Sequence, residues 1–470
     1  MKWRSRHKVT VNPDENQGTA CHGKIGESDT GAELREEHQA SLTLKEDRHL
    51  TEDLMTEICS KSNLRRAYKQ VKRNKGSAGV DGMTVDDMHD YFKTHIDELI
   101  AALLDGSYRP QKVLGIHIPK PGGGSRELGI PTVIDRVVQQ AITQILEKAF
   151  EPTFSESSYG FRPKRSGHDA LKRASAYVKE GKVWVVDLDL EKFFDRVNHD
   201  ILMRKLSKRI GDKRLLRLIR RYLTTGIMMN GLSQTRQEGT PQGSPLSPLL
   251  SNIMLDGLDK ALERRGHRFC RYADDCNIYV QSQRAGHRVM ESVTQFLEQH
   301  LKLKVNTAKS AVALVNERKF LGYRLQKDGH LSIAPESLQR LKDKLRERTK
   351  RNRGRSFELI VREINQTLRG WVNYFILSES RSRLRSLDSW LRRKLRCYRL
   401  KQRKKYWSIV TWLRSLGVAE RDARKIGASG KGWWCLSKTP ALHRALNQEW
   451  FRNQGLLNME TYWESRRVKV

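Results

Sequence analysis

From Leu54 onward the chain alternates between two hydrophobic periods. Val137, Val138, Ala141, Ile142, Ile145, Leu146 and Ala149 recur at three- and four-residue spacing, which predicts a core helix over 135–150. The same spacing predicts a helix after Ser247-Pro248, with Ser247 as its cap and Pro248 as its first residue, burying Leu249, Leu250, Ile253, Met254, Leu258 and Leu262. Residues 64–74 read as a basic amphipathic helix that stops at Asn74-Lys75-Gly76 and enters a glycine-rich loop, and 204–221 as a basic helical region. Three more helices follow over 336–351, 357–375 and 383–400, with Leu338, Leu341, Leu345, Ile364, Leu368, Leu391 and Leu395 as inner positions.

Alternation marks the strands. Residues 114–131 alternate on both sides of Gly122-Gly123-Gly124, a hairpin with Lys120 and Arg126 at its base. Val183-Trp-Val-Val-Asp-Leu-Asp-Leu190 is a buried strand, and 271–280 reads as two strands meeting at a tight turn with Asp274 and Asp275 at the tip. Residues 1–53 sustain no apolar period and are expected to form a mobile extension.

Charge changes this picture more than composition does. A formal +35 implies a polyanionic partner, nucleic acid before membrane, since no apolar run approaches the ~18 residues of a spanning helix and the first thirty residues are polar. A cytoplasmic, nucleic-acid-associated protein is expected. Six cysteines without a C-x₂-C pair argue against zinc ribbons and a disulfide framework.

The chemistry centres on the adjacent Asp274 and Asp275. Like charges so close raise one another's pKa unless a cation lies between them, and Mg²⁺ suits one or two carboxylates plus substrate phosphates. Asp187 and Asp189 share a face of their strand by its two-residue period, and Asp189, at the strand's end, is the candidate third acid. In the loop Ser158-Tyr-Gly-Phe-Arg-Pro-Lys-Arg-Ser166, Tyr159 and Phe161 are candidates for base stacking, and Arg162 and Arg165 for phosphate contact. Lys75, beside glycines that allow close backbone approach, also suits a phosphate chain. From 341 to 410 there are 22 Lys plus Arg against 6 Asp plus Glu, a one-sided surplus that calls for counter-charge.

In order, Asn74-Lys-Gly-Ser-Ala-Gly-Val-Asp-Gly82, Ile118-Pro-Lys120 with Arg126, Tyr159-Gly-Phe-Arg-Pro163, Asp189-Leu-Glu-Lys-Phe-Phe-Asp195, Thr240-Pro-Gln-Gly-Ser-Pro-Leu-Ser-Pro248, Tyr272-Ala-Asp-Asp275, Leu303-Lys-Val-Asn-Thr-Ala-Lys309 and Phe320-Leu-Gly-Tyr323 resemble the successive blocks of the reverse transcriptases encoded by group II introns, the intron maturases. The resemblance implies an α+β right-hand polymerase: fingers and palm over 54–328, an α-helical thumb called domain X over 329–405, and a small DNA-binding domain over 406–470. It also implies two Mg²⁺ ions on Asp189, Asp274 and Asp275, one activating the primer 3′-hydroxyl and one holding the nucleotide's phosphates. Lys120 and Arg126 would grip the triphosphate of a dNTP, Phe194 would exclude a 2′-hydroxyl, Gln242 would line the nucleotide pocket, and Lys309 would protonate pyrophosphate.

Ile364-Asn-Gln-Thr-Leu-Arg-Gly-Trp-Val-Asn-Tyr-Phe375 is similar to the domain X signature, with Gln366 where the family usually has proline. That domain implies binding of intron RNA and help with splicing, for which Arg369, Arg392, Arg393, Lys394 and Arg396 are the candidate contacts. Gly432-Trp-Trp-Cys-Leu-Ser-Lys-Thr-Pro-Ala-Leu-His443 resembles the family's DNA-binding segment, and the implied form is the one without the zinc-containing HNH endonuclease. The implied partners are a group II intron RNA, a DNA target site and an RNA template with a DNA primer. Rival readings are a free-standing bacterial reverse transcriptase for defence or repair, and a non-catalytic RNA chaperone. The intact acids argue against the chaperone, but from the acids alone a DNA-templated polymerase or an RNA-dependent RNA polymerase remains open.

Overall fold

The structure is a computed structural model, and it describes residues 53–119, 123–229, 232–234 and 238–467. The expectation of a mobile extension over 1–53 therefore falls almost wholly outside the described residues, as does Lys120.

The chain enters through α1 (Leu54–Cys59), α2 (Lys61–Asn74) and α3 (Met88–Leu104). The Ser60 hydroxyl accepts the Asn63 N–H and starts α2, which ends where Lys75 turns left-handed at φ 50°. Asn63 is buried in the contact between α2 and α4 (Val133–Phe150), its amide donating to the Ile58 and Ala141 carbonyls at 3.0 and 3.1 Å. Between these helices lies the expected hairpin, β1 (Val113–Pro119) and β2 (Ser125–Ile130). It is extended through β1 by a parallel pairing with β4 (Ile227–Met229), which in turn pairs with β5 (Leu232–Gln234).

The second sheet is antiparallel throughout, in the order β6 (Arg268–Tyr272), β7 (Asp275–Val280), β3 (Trp184–Leu188), β8 (Ala311–Leu314). Its two-residue period divides the protein's core. Val186, Leu188, Ile278 and Val280 face α8 (Ser247–Arg264) and α9 (Gln283–His300) and join a first core that reaches back to Leu54. Val185, Cys270 and Tyr279 face α5 (Gly167–Lys179) and join a second. The basic helical region after this sheet's first strand is built of two helices, α6 (His199–Ser207) and α7 (Lys213–Thr224). Ser247 is the first residue of α8 rather than its cap, and its hydroxyl donates to the Pro241 carbonyl at 2.8 Å, folding the preceding turn back on the helix.

After the short hairpin β9 (Tyr323–Leu325) and β10 (Leu331–Ile333) come the three expected helices, α10 (Pro335–Arg348), α11 (Phe357–Tyr374) and α12 (Arg381–Arg403). Six shorter helices, α13 (Tyr406–Ser415) to α18 (Met459–Arg467), close the described chain. They have no core of their own. Leu436, Leu442, Phe451, Met459 and Trp463 belong to the same buried cluster as Ile364, Leu391, Leu395 and Tyr177. Among the described residues no helix is long and apolar enough to cross a membrane.

Candidate polymerase site and nucleic-acid interface

Tyr272 pairs with Asp275 across the β6–β7 turn, and Ala273 sits between them in the left-handed region at φ 60°. On the other side of β7 the register pairs Asp187 with Asn277 and Leu188 with Cys276, so the next residue, Asp189, comes abreast of Asp275. By the sheet's alternation Asp187, Asp189 and Asp275 occupy one face, the one α5 covers only at its other end. There they line an open cavity of about 530 Å³ together with Lys309, Arg318 and Gly322.

The acids differ in how they are held. Asp187 accepts from Arg318 Nε at 2.8 Å, yet desolvation outweighs the guanidinium and leaves its pKa raised. Asp189 accepts from Asn306 Nδ2 at 3.0 Å, its backbone N–H donates to Ser310 Oγ at 3.0 Å, and Lys309 Nζ lies 3.4 Å from its carboxylate. The Asp274 pKa is raised by desolvation and by Asp189, against a lowering from Arg126. Although Asp275 meets solvent at the lip of the cavity, the surrounding protein strips enough water from it to push it up, and repulsion from Asp274, Asp187 and Asp189 adds to this. It reaches about 7, with Lys309 as the opposing charge. Lys309 itself is two-thirds exposed, a weak counterion for so many carboxylates. Among the described residues no three His, Cys, Asp or Glu side chains gather closely enough to hold a cation alone. The donor set is hard oxygen, shared and incomplete, which fits a Mg²⁺ ion that takes its remaining ligands from phosphate and water.

Arg126 lies exposed on β2, opposite Ile118. Phe194 is half-buried against Phe193, with ring centroids 5.2 Å apart, and its carbonyl accepts the Thr240 N–H at 2.6 Å. The Gln242 carbonyl accepts the Gly129 N–H at 2.9 Å. The turn that carries Gln242 is thus stitched to the hairpin bearing Arg126 on one side and to Phe194 on the other.

The expected nucleic-acid contacts separate into two groups. Lys75 and Arg369 are exposed, and Arg392 is half-buried. Tyr159 and Arg162 are not available: both are buried, Arg162 pairing with Glu151 at 2.9 Å and donating to the Ser158 carbonyl at 2.9 Å. Arg165 pairs with Glu156 and lies over the Tyr159 ring, 5.7 Å from its centroid, leaving Phe161 as the exposed ring of this loop. Arg396 is also withdrawn, buried with Nε and Nη2 donating to the Leu446 carbonyl at 3.0 and 2.8 Å. Arg393 stacks on Trp434 at 3.6 Å and donates to its carbonyl at 3.0 Å. Partners within the chain withdraw these residues: nearby carboxylates and carbonyls for Arg162 and Arg165, and a carbonyl or ring from a distant segment for Arg396 and Arg393. The charge count alone does not reveal the larger feature, a cleft of about 1410 Å³ beside α10 and α12. Arg346, Lys350, Arg351, Lys394, Lys401 and Lys404 line it, and among the described residues no carboxylate does.

Residues 118–325 match the reverse transcriptase (RNA-dependent DNA polymerase) family, and residues 338–415 match the group II intron maturase-specific domain. Protein YkfC of Escherichia coli K12 is 34% identical over 286 residues, 53% of this chain and 75% of that protein. The group II intron-encoded protein LtrA of Lactococcus lactis subsp. cremoris is 38% identical over 206 residues, 44% of this chain, and the match spans only 34% of LtrA. Among solved structures, a partial Cas6-RT-Cas1–Cas2 complex covers 52% of this chain and 42% of its own at 25% identity, with a TM-score of 0.35. With a polymerase domain and a maturase-specific domain in tandem and a relative matched over three quarters of its length, the chain belongs to the family of group II intron-encoded reverse transcriptases and maturases.

Proposed function

We propose that the protein is an RNA-directed DNA polymerase that also binds a group II intron RNA to assist its splicing, and that it supports intron mobility by target-primed reverse transcription. The observation that carries the polymerase reading is that Asp189 and Asp275 come abreast at the open end of the palm sheet with Asp274 next to them in the turn, where desolvation first, and repulsion from neighbouring carboxylates after it, raises Asp274 and Asp275 together. Asp189, Asp274 and Asp275 would hold Mg²⁺, which when bound supplies Lewis-acid stabilisation of the charge that develops on the transferred phosphoryl group. Arg126, with Lys120, would grip the triphosphate of the dNTP. The half-buried Phe194 ring would stand beside the sugar, and the Gln242 turn would close the pocket. Lys309, free enough to leave Asp189, would donate a proton to the departing pyrophosphate.

Fingers and palm would occupy 54–328, the thumb 329–405 and a DNA-contacting segment 406–470. The cleft beside α10 and α12 supports binding of a phosphate backbone, because so many cations without a carboxylate repel one another until a polyanion arrives. Primer extension by the purified protein on an RNA template, with dNTPs and Mg²⁺, tests the reading. DNA product that depends on the RNA template is expected, and its absence at all Mg²⁺ concentrations overturns it.

A further inference from the structure

Among the described residues Arg271 heads the fully buried side chains in size, and its partner Asp259 is buried completely too. Every N–H of the guanidinium is used. Nε donates to Asp259 Oδ1 at 2.7 Å and Nη2 to Asp259 Oδ2 at 2.5 Å, a bidentate pair. The remaining donors go elsewhere: Nη2 to Ser158 Oγ at 2.7 Å, and Nη1 to Asn252 Oδ1 at 3.0 Å and to the Ala273 carbonyl at 2.9 Å. Ala273 is the left-handed residue of the turn, immediately before Asp274.

The turn is held from a second side. The Ser157 carbonyl accepts the Arg271 N–H at 2.9 Å and the Arg271 carbonyl accepts the Tyr159 N–H at 2.8 Å, so this loop runs parallel beside β6. Gly160 follows, its carbonyl accepting Asn252 Nδ2 at 2.9 Å. A Cβ at Gly160 would lie 2.2 Å from the Ala273 nitrogen and 2.8 Å from the Tyr272 carbonyl carbon, both backbone atoms that cannot swing aside. The loop read from sequence as a base-stacking surface is therefore packed against the turn that bears the acids.

Burying an ion pair is expensive, and apolar residues of like volume often serve stability as well. What apolar residues cannot do is donate to the Ala273 carbonyl. We propose that Arg271, Asp259, Asn252 and Gly160 are positioning residues, a buried brace that fixes where Asp274 and Asp275 stand relative to Asp189 and so sets divalent-cation affinity and the rate of nucleotide addition. The inference rests on the polymerase reading above.

Gly160→Ala tests it in the full-length protein, because it presses on the turn without altering a charge. Four quantities are compared with the parent: Mn²⁺ affinity by electron paramagnetic resonance, single-turnover nucleotide addition, KM for dNTP, and affinity for intron RNA. Displacing the turn by about 1 Å is expected to slow addition roughly 10²-fold, weaken Mn²⁺ binding, and leave KM and RNA affinity near the parent's. The Arg271→Met, Asp259→Leu double variant is expected to do the same, at a lowered melting temperature because the Ala273 carbonyl, Asn252 Oδ1 and Ser158 Oγ lose their donor. Ser158→Ala removes one hydroxyl at the rim of the brace and should give a smaller version, about three- to tenfold in rate. Parent-like Mn²⁺ affinity and rate in Ser158→Ala, or in either larger variant where it folds, overturn the proposal. A parent that makes no DNA defeats the proposed function instead, while its Mn²⁺ affinity relative to Gly160→Ala still decides on the brace.

Discussion

The palm and helix α12 each concentrate charge of one sign, and they deal with it in opposite ways. At the palm, Asp187 has Arg318, but among the described residues no ion pair holds Asp274 or Asp275, and desolvation first, with repulsion from the neighbouring carboxylates after it, raises both. On α12 much of the positive charge is satisfied from within: Arg396 by the Leu446 carbonyl, Arg393 by Trp434, Arg399 by the Phe357 and Trp412 rings at 5.4 and 5.7 Å. A cluster left uncompensated waits for a ligand, whereas a cluster compensated by carbonyls and ring faces is part of the core. The sign and number of charges do not distinguish the two; their partners do.

The sharpest break of this comparison is at the acids. Asp274→Ala with Asp275→Ala should cut DNA synthesis by roughly 10³-fold or more, while intron RNA affinity and assisted splicing persist, because only Asp189 of the three proposed Mg²⁺ ligands would remain. A double variant that binds RNA normally and fails to splice would place both functions at one site. Next in size, Lys350, Arg351, Lys401 and Lys404 changed together to glutamine should flatten the log–log salt dependence of RNA binding by about 0.7 to 0.9 per lost phosphate contact. Arg396→Ala should leave that slope unchanged and instead lower thermal stability, since it strips the buried Leu446 carbonyl of its donor. Parallel titrations at several salt concentrations separate the two outcomes.

Phe194→Ala sharpens the palm side of the contrast: opening space beside the sugar should reduce discrimination against ribonucleotides by about tenfold or more, read as the ratio of kcat/KM values. The smallest effect concerns Asp388, a carboxylate buried on α12 that accepts the Met459 and Glu460 N–H groups at 3.1 and 3.2 Å. Desolvation raises it from 3.8 to about 6, against lowering by those N–H groups and Arg392. Between those values the folded protein keeps a proton that the unfolded chain has lost, so stability falls as pH rises through this window and levels off above about 6. The melting temperature of the parent minus that of Asp388→Asn should therefore drop by a few degrees from pH 4 to 6 and stay flat from 6 to 8. A difference that rises over the lower range would reverse the assignment.

The parts of this site that sequence exposes are those governed by a period. Alternation fixes the faces of β3 and β7, and with them the meeting of Asp189 and Asp275, because a slip of one residue would turn every side chain over. Tyr159 and Arg162 defeat such reading, since a loop has no period and Glu151, which claims Arg162, stands eleven residues earlier. Arg396 is hidden for a related reason: arginines and lysines are dense along α12 beside its leucine face, and the carbonyl that withdraws one arginine lies fifty residues on. Arg271 stands at the head of the most legible motif in the chain, yet its partners are 12, 19 and 113 residues away.

The second core runs without a seam from Tyr177 on the palm, through Leu391 and Leu395 on α12, to Trp463. A boundary drawn near residue 405 thus divides the chain on paper but does not mark a place where it can be cut cleanly. Exchanging the last helices with those of a relative transplants interior as well as surface. A graft that brings new helices must also bring the inner face of α12 that receives them, or it will present leucines to water where the donor expected a neighbour.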